Sequence, residues 1–310
     1  MKALVTGGAG FIGSHLVDRL ITEGWKVKVI DNLSSGYREN VNKKAELIIG
    51  DLKDPKIALK AVEDVDVVFH FAANPEVRVS TTNPKIHFEN NIVVTFNILE
   101  AMRIKDVKEI IFASSSSIYG EPEVIPVSED APMRPVSVYG ASKAACENLI
   151  HAYTKLYGFK AIILRYANVV DPRLRHGVIY DFILKLKKNP SKLEILGDGT
   201  QLRSFIHIED AIEATMIALE KSHEPFSVYN IASEDWITIK EVADIVCETM
   251  GLKPLYQYKP VFYGIGWLGD VKRIALDIKR IKKLGFNPKF NSRQAVKETT
   301  KALLKELNNI

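Results

Sequence analysis

Cysteine is scarce: the 310 residues contain two, Cys146 and Cys247. They lie far apart within helical patterns, which argues against a disulfide framework or a thiolate metal site; no metal is expected. Long hydrophobic runs are missing as well. No stretch approaches the ~18 uninterrupted apolar residues of a membrane span, so no membrane partner is expected. Neither charge sign dominates. Lys and Arg number 42 against 38 Asp and Glu, for a net charge of +4 and a pI near 8.8. Nucleic-acid binders carry a stronger, clustered excess, so nucleic acid is not an expected partner; Lys279–Lys283 reads as a solvated helix face. The 18 glycines and 13 prolines are too few for a collagen-like or low-complexity chain. The first residues, MKALVTGGAGFIG, hold a short apolar run that ends at glycines, unlike a secretory signal. The cytoplasm is therefore the expected compartment. What is present is the balance of a folded globular protein, 46% hydrophobic and 26% charged, in a length that allows one large domain or two modest ones.

The first half alternates short β-branched runs with amphipathic stretches. Strands are expected at Ala3–Thr6, Lys26–Ile30, Glu46–Gly50, Val65–Phe71, Glu109–Ser114 and Ala161–Arg165. Nearly continuous apolar runs of this kind suit a parallel sheet buried on both faces. Helices are expected at Ile12–Glu23, Ile86–Ile104 and Tyr139–Tyr157. The alternation predicts an α/β fold, a doubly wound parallel sheet of the Rossmann type. Beyond about residue 167, Pro172, Pro190, Gly197 and Gly199 break the chain into shorter pieces. Helices return at Val178–Lys188, Glu209–Lys221, Ile239–Met250 and Arg293–Leu307. The expected division is a cofactor-binding domain over 1–167 and a smaller substrate-binding lobe over 168–310, some of whose elements return to the first domain.

Gly7-Gly8-Ala9-Gly10-Phe11-Ile12-Gly13 follows the first strand and opens the first helix. Glycines there permit a tight turn and let backbone approach a pyrophosphate, which the helix N-terminus attracts. The strand–glycines–helix context is what the motif requires. The second strand ends at Asp31, placed to accept from an adenosine 2′-hydroxyl and to repel a 2′-phosphate. NAD is therefore expected in preference to NADP. Asp51, after the third strand, is placed to meet the adenine.

Tyr139-Gly140-Ala141-Ser142-Lys143 puts a phenol and an ammonium on one helix face. A nearby cation favours phenolate, lowering a pKa that starts near ~10. Such a phenol can remove a hydroxyl proton while hydride leaves the same carbon. With 11 tyrosines in the chain, about one Tyr-x-x-x-Lys arises by chance, so context carries the signal. Upstream, at the end of the fifth strand, lies the serine run Ser114–Ser117, able to hydrogen-bond a reacting oxygen.

In this order, GGAGFIG, Asp31-Asn32-Leu33, Gly50-Asp51, Phe69-His70-Phe71-Ala72-Ala73, Ser-Ser-Ser-Ile-Tyr-Gly and Tyr-Gly-Ala-Ser-Lys resemble the extended short-chain dehydrogenases/reductases. The likeness continues through Leu164–Val170, Gly197–Gln201 and Arg203–His207, over nearly the whole chain. It is strongest to the UDP-glucose 4-epimerase group of nucleotide-sugar epimerases, particularly archaeal-type members with Arg173–Ile179. The resemblance implies tightly bound NAD that oxidises the sugar C4 hydroxyl and returns the hydride to the opposite face. It implies Tyr139 as acid/base, Lys143 on the nicotinamide ribose and Ser115 at the C4 oxygen. By the same likeness Gly7, Gly10, Phe11, Ile12, Gly13, Asp31, Asn32, Asp51 and Leu52 hold the cofactor. Phe71, Ala72, Ala73, Asn90, Ser114 and Tyr166 join them, with Tyr139 and Lys143. Asn168, Val178, Arg203 and Asp270 fall at nucleotide-sugar positions, with Ser115 and Tyr139. The matching helices imply a homodimer through a four-helix bundle.

Two departures narrow the reading. Dehydratases of this family place an Asp-Glu pair where this chain has Ser116 and Ser117, so elimination of water lacks its acid and base. Epimerases usually carry an arginine just before the Gly-Asp that matches Gly269-Asp270. None stands there, so either Lys272 or Arg273 compensates or the ligand differs. The competing expectations are another nucleotide-sugar epimerase, such as one for a uronic acid with Arg78, Ser80 and Thr81 near C6, or a keto-sugar reductase. A non-catalytic NAD-binding scaffold would have no need of Tyr139, Lys143 and Ser115 together.

Overall fold

The computed structural model describes residues 1–308. Its first elements follow the expected alternation: β1 (Lys2–Thr6), α1 (Phe11–Thr22), β2 (Lys26–Asp31), β3 (Glu46–Ile49), α2 (Pro55–Ala61) and β4 (Val67–His70). Next come α3 (Lys85–His87), α4 (Val94–Lys105), β5 (Glu109–Ser115), α5 (Val138–Tyr157) and β6 (Lys160–Tyr166). The strands form a seven-stranded sheet in the order Phe226–Ile231, β6, β5, β4, β1, β2, β3. Neighbours from β5 to β2 run parallel, with Val5 opposite both Val29 and Phe69, and Phe69 opposite Ile111. At the far edge Ala161 N–H donates to Pro225 O and Ala167 N–H to Ile231 O, a constant offset that is also parallel. Strand order reverses at β1, and ligands of open α/β sheets gather outside the carboxyl ends of strands at such a switch point.

Contacts divide the chain into two compact units: Met1–Ile118, Ser137–Arg165 and Thr215–Tyr229 in one, Tyr119–Val136, Tyr166–Ala214 and Asn230–Ile310 in the other. In the first, Leu4, Ile98, Ile110, Phe112, Cys146, Ile150 and Phe159 belong to one fully buried cluster. In the second, helices Val178–Lys188, Ile239–Met250 and Ser292–Asn308 contribute Phe182, Ile183, Val242, Val246 and Val296 to another. Thr238 and Glu241 close a capping box at the head of Ile239–Met250, and Gly251 ends that helix at φ 68. Among the described residues no helix is long and apolar enough to cross a membrane.

One expected helix is broken. Ile86–Ile104 is divided into α3, a π-helical stretch over Phe88–Val93, and α4. The π turn accommodates buried Asn91, whose side chain accepts from Asn74 N–H (2.8 Å) and donates to Ser142 Oγ (2.7 Å). Several elements lie outside the sequence expectations: α2, the sheet strand Phe226–Ile231, and the short strands after residue 167, among them Lys192–Leu196 and Leu255–Lys259.

Candidate active site

The glycine turn between β1 and α1 is fixed by steric necessity. Gly7 has φ +69, and a Cβ there would lie 2.8 Å from Ala72 N. A Cβ on Gly13 would lie 2.3 Å from Gly7 O. No side chain caps α1 at Gly10, and its first turn has no acidic residue. The helix thus presents its partial positive charge and first-turn N–H groups to an anion. Across the turn, Asp31 accepts from Ala9 N–H (3.0 Å) and Leu33 N–H (2.8 Å), which holds its carboxylate over the glycines. Asn32 accepts from Ser34 N–H at 3.0 Å, and Asp51 from Lys53 N–H at 2.9 Å. The Leu52 side chain is core.

The stretch after β4 is pinned by a hydrogen-bond chain whose directions can be assigned. Thr6 Oγ1 accepts from Phe71 N–H (3.2 Å) and Ala72 N–H (3.1 Å). With both lone pairs occupied, its proton goes to His70 Nδ1 at 2.7 Å. His70 therefore carries its proton on Nε2 and donates to Thr95 Oγ1 at 2.9 Å. Burial, aided by the charge of Lys143, pulls the His70 pKa down to about 3, so the ring is neutral at any working pH.

Ser137 caps α5 by accepting from Gly140 N–H at 3.1 Å. This sets Tyr139 and Lys143 on the first two turns. Lys143 is buried, donates to Ala113 O at 2.7 Å and lies 4.8 Å over the Phe112 ring. Burial lowers its pKa to about 8, opposed by Cys146 and Glu147. The Tyr139 ring is met edge-on by buried His87 at 5.6 Å. The expected lowering of the Tyr139 pKa is not found: burial pushes it up to about 12, against a hydrogen bond with Ser115. Loss of solvent disfavours the phenolate by more than the Ser115 hydrogen bond favours it. Ser115 Oγ also accepts from Ser117 N–H (3.2 Å) and Ser117 Oγ (3.0 Å).

Two residues expected at the cofactor turn their polar groups to protein. Ser114 Oγ donates to buried Glu147, and Asn90 Nδ2 donates to Ile86 O at 3.0 Å. Sequence reasoning missed Glu147, Arg165, Asn91 and the Thr6–His70–Thr95 chain. A signal for the first two was available: a glutamate one turn beyond Lys143 and a lone arginine in the apolar run Ala161–Tyr166.

In the second unit Tyr166 is buried, exposed Asn168 donates to Ser204 O at 3.1 Å, and Val178 starts a helix behind Gly177. Arg203 is buried and heavily engaged. Its Nη2 donates to Asp270 Oδ1 (2.7 Å) and Val271 O (2.5 Å), its Nη1 to Leu202 O (2.8 Å). Burial lowers its pKa, opposed by Asp270. Asp270 in turn accepts from Gly266 N–H and Val271 N–H, both at 3.0 Å. Lys272 Nζ pairs with Asp198 at 2.5 Å. Glu121 accepts from Lys272 N–H and Arg273 N–H. Two of the expected diphosphate cations, Arg203 and Lys272, thus hold carboxylates of the protein. No group of three or more His, Cys, Asp or Glu is placed to hold a metal among the described residues.

The profile of the family described as "NAD dependent epimerase/dehydratase family" matches residues 3–232. A protein of Methanocaldococcus jannaschii is 41% identical over 300 residues, 95% of either chain. A solved UDP-galactose 4-epimerase is 49% identical with a TM-score of 0.90, over 99% of this chain and 100% of that one. The UDP-glucose 4-epimerase of Thermus thermophilus, solved in complex with NAD, is 37% identical with a TM-score of 0.89, over 98% of this chain and 99% of that one.

Proposed function

This chain belongs to the NAD-dependent epimerase/dehydratase family, and from that premise we propose that it interconverts UDP-glucose and UDP-galactose. It is an isomerase, an NAD-dependent nucleotide-sugar 4-epimerase. The UDP-hexose assignment is supported by the names of its relatives and by Ser116 and Ser117, which offer no acid–base pair for dehydration.

The observation that carries the reading is the grouping of Tyr139, Ser115 and Lys143 in the unit that holds the glycine turn. The glycine cradle, the uncapped α1 N-terminus and Asp31 fit a dinucleotide. Gly7, Gly10, Phe11, Ile12 and Gly13 are assigned to its pyrophosphate and Asp31 to the adenosine ribose, with Asp51 towards the adenine. Bound NAD supplies the hydride acceptor and donor and, when oxidised, a positive charge. Tyr139 Oη takes the C4 hydroxyl proton and later returns it. Ser115 steadies the C4 oxygen by hydrogen bonding. Lys143 holds a cofactor hydroxyl. In the ligand-free chain burial keeps the phenol protonated, and the positive charge that oxidised cofactor would supply beside it would favour the phenolate. Arg203 and Asp270 are assigned to the nucleotide, with residues 1–167 mainly for cofactor and 168–310 mainly for substrate. A cytoplasmic location belongs to the same proposal. So does a homodimer, supported by exposed Phe88, Phe96, Ile104 and Leu156 on and beside α4 and α5.

Nuclear magnetic resonance of the purified protein with UDP-glucose, UDP-galactose and a panel of other UDP- and GDP-sugars tests the substrate. The expected result is growth of the C4 epimer of a UDP-hexose with no net consumption of NADH. Turnover of another sugar alone, or stoichiometric NADH loss, refutes the assignment. Light scattering on the same sample should give the mass of a dimer, and a monomer mass removes that part.

Calorimetry on cofactor-stripped protein tests Asp31. Its carboxylate, fixed by two N–H donors, would meet a 2′-phosphate as a like charge. NAD should bind at least about tenfold tighter than NADP, a difference of ~1.4 kcal/mol. Equal affinities would remove Asp31 from the ribose.

A further inference from the structure

Beneath Lys143 lies an ion pair with almost no contact with water. Arg165 and Glu147 side chains are 3% and 2% exposed, and Arg165 Nη2 meets Glu147 Oε2 at 2.7 Å. Arg165 Nε lies 3.1 and 3.2 Å from the two carboxylate oxygens. Glu147 Oε1 also accepts from Ser114 Oγ. Three elements are thereby tied at one point: the end of β5 through Ser114, α5 through Glu147, and β6 through Arg165. Residues adjacent to these ties bear the chemistry. Ser115 follows Ser114, and Lys143 precedes Glu147 by one helical turn. Lys143 itself is bonded to Ala113 O, beside Ser114.

Burying such a pair is costly, and well-packed apolar residues in its place are often neutral or stabilising. Stability alone is thus a weak reason for an ion pair at this depth. We propose that Glu147, locked by Arg165 and Ser114, is a positioning residue that acts through Lys143: it sets the register of Ser115 against Tyr139 and holds the lysine ammonium charged in a dry site. This rests on the reading that Tyr139 and Lys143 carry the chemistry.

The charges around the ammonium support the assignment. On α5 it faces Glu147, which favours its charged form while burial opposes it, and Cys146, whose thiol burial pushes up and keeps neutral. Tyr139 stands one turn before it, and its phenol is neutral. From β4 it faces His70, which is neutral. From β6 comes Arg165, engaged by Glu147, and from β5 the Ala113 carbonyl and Phe112 ring. Among these groups Glu147 is the one carrying negative charge. With the Lys143 pKa at about 8, the ammonium is mostly present at neutral pH. Removing the Glu147 charge lowers that pKa further, so the charged form is lost at a lower pH.

The test uses the NAD-loaded protein and three variants. Glu147→Gln leaves Arg165 buried without its charge partner, so a fall in melting temperature is expected. Glu147→Gln/Arg165→Met removes both charges and should regain most of that stability. In Glu147→Gln, where only the negative charge is lost, we expect the Lys143 side-chain resonance to titrate roughly one pH unit lower than in wild type, and in the paired variant, which also loses the Arg165 cation, by less. The alkaline limb of kcat should move with it, kcat at neutral pH should fall at least about tenfold, and KM should change little. Glu147→Asp keeps the charge but shortens its reach, so kcat should fall while the Lys143 midpoint stays near wild type. It decides the matter if the paired variant folds poorly. A paired variant with recovered melting temperature and normal kcat would overturn the proposal, as would Glu147→Gln with an unmoved Lys143 midpoint or Glu147→Asp with normal kcat. The titration is read without turnover. Wild-type protein that fails to epimerise any sugar therefore refutes the functional reading, while the lysine midpoint still judges the charge assignment.

Discussion

Tyr139→Phe should lower kcat by roughly 10²–10⁴, the range for loss of a general acid/base, while NAD remains bound with nearly wild-type affinity. Each factor of ten is about 1.4 kcal/mol of barrier, so the expected cost is ~2.7–5.5 kcal/mol. The substitution keeps the ring that His87 meets edge-on at 5.6 Å and removes only the hydroxyl that Ser115 engages. No charge is buried or uncovered, because the phenol is protonated in the ligand-free chain. The fold and the glycine cradle should therefore be untouched, and thermal unfolding should stay near wild type. Turnover within a factor of about three of wild type would assign the proton transfer to another group; loss of NAD binding together with turnover would make Tyr139 a structural residue.

Arg203→Ala should be among the most damaging single changes in the second unit. The guanidinium holds Asp270, Val271 and Leu202 through hydrogen bonds of 2.5 to 2.8 Å, and the side chains of the ion pair are only 11% and 5% exposed. Truncation leaves the Asp270 carboxylate buried without its cation. Breaking a buried pair this way typically costs about 3–5 kcal/mol. That loss should appear in denaturant unfolding, and Arg203→Ala/Asp270→Asn should recover part of it, since the stranded charge is gone. In whatever fraction remains folded, KM for a UDP-sugar should rise at least about tenfold, because the 270–272 backbone loses its anchor. Unchanged unfolding would mean that the pair contributes little, and unchanged KM would remove Arg203 and its segment from the nucleotide.

The first half, with its glycine turn, is the most legible part of the sequence. Its signals are local: glycines required by backbone clashes, and β-branched runs that are buried on both faces in β1, β4, β5 and β6. Val178–Lys188 and Ile239–Met250 are also legible to the residue, since breakers or caps bound them. Where tertiary packing decides, the sequence is opaque. The run Ile86–Ile104 has helical periodicity throughout, yet Asn91 is drawn inward by Asn74 and Ser142 and a π turn absorbs the mismatch. The strand Phe226–Ile231 is interrupted by Ser227, Tyr229 and Asn230 and lacks the apolar continuity of its neighbours. At the site, spacing places Lys143 near Tyr139 but cannot give the sign of the tyrosine shift, which burial sets. Nor can it pair Arg203 with Asp270, 67 residues away.

The strand Phe226–Ile231 completes the sheet by pairing with β6, although β6 ends at Tyr166. During synthesis, the outer edge of β6 therefore leaves the ribosome long before its mate. The intervening residues, 167–225, take several seconds to make at roughly 5–20 residues per second. For that interval the nascent chain carries an apolar strand, Ala161–Leu164, with one row of N–H and C=O groups unanswered, the kind of template on which chains aggregate. Translation speed through 167–225, and access of a chaperone to that edge, should govern how much of the newly made protein reaches the native state.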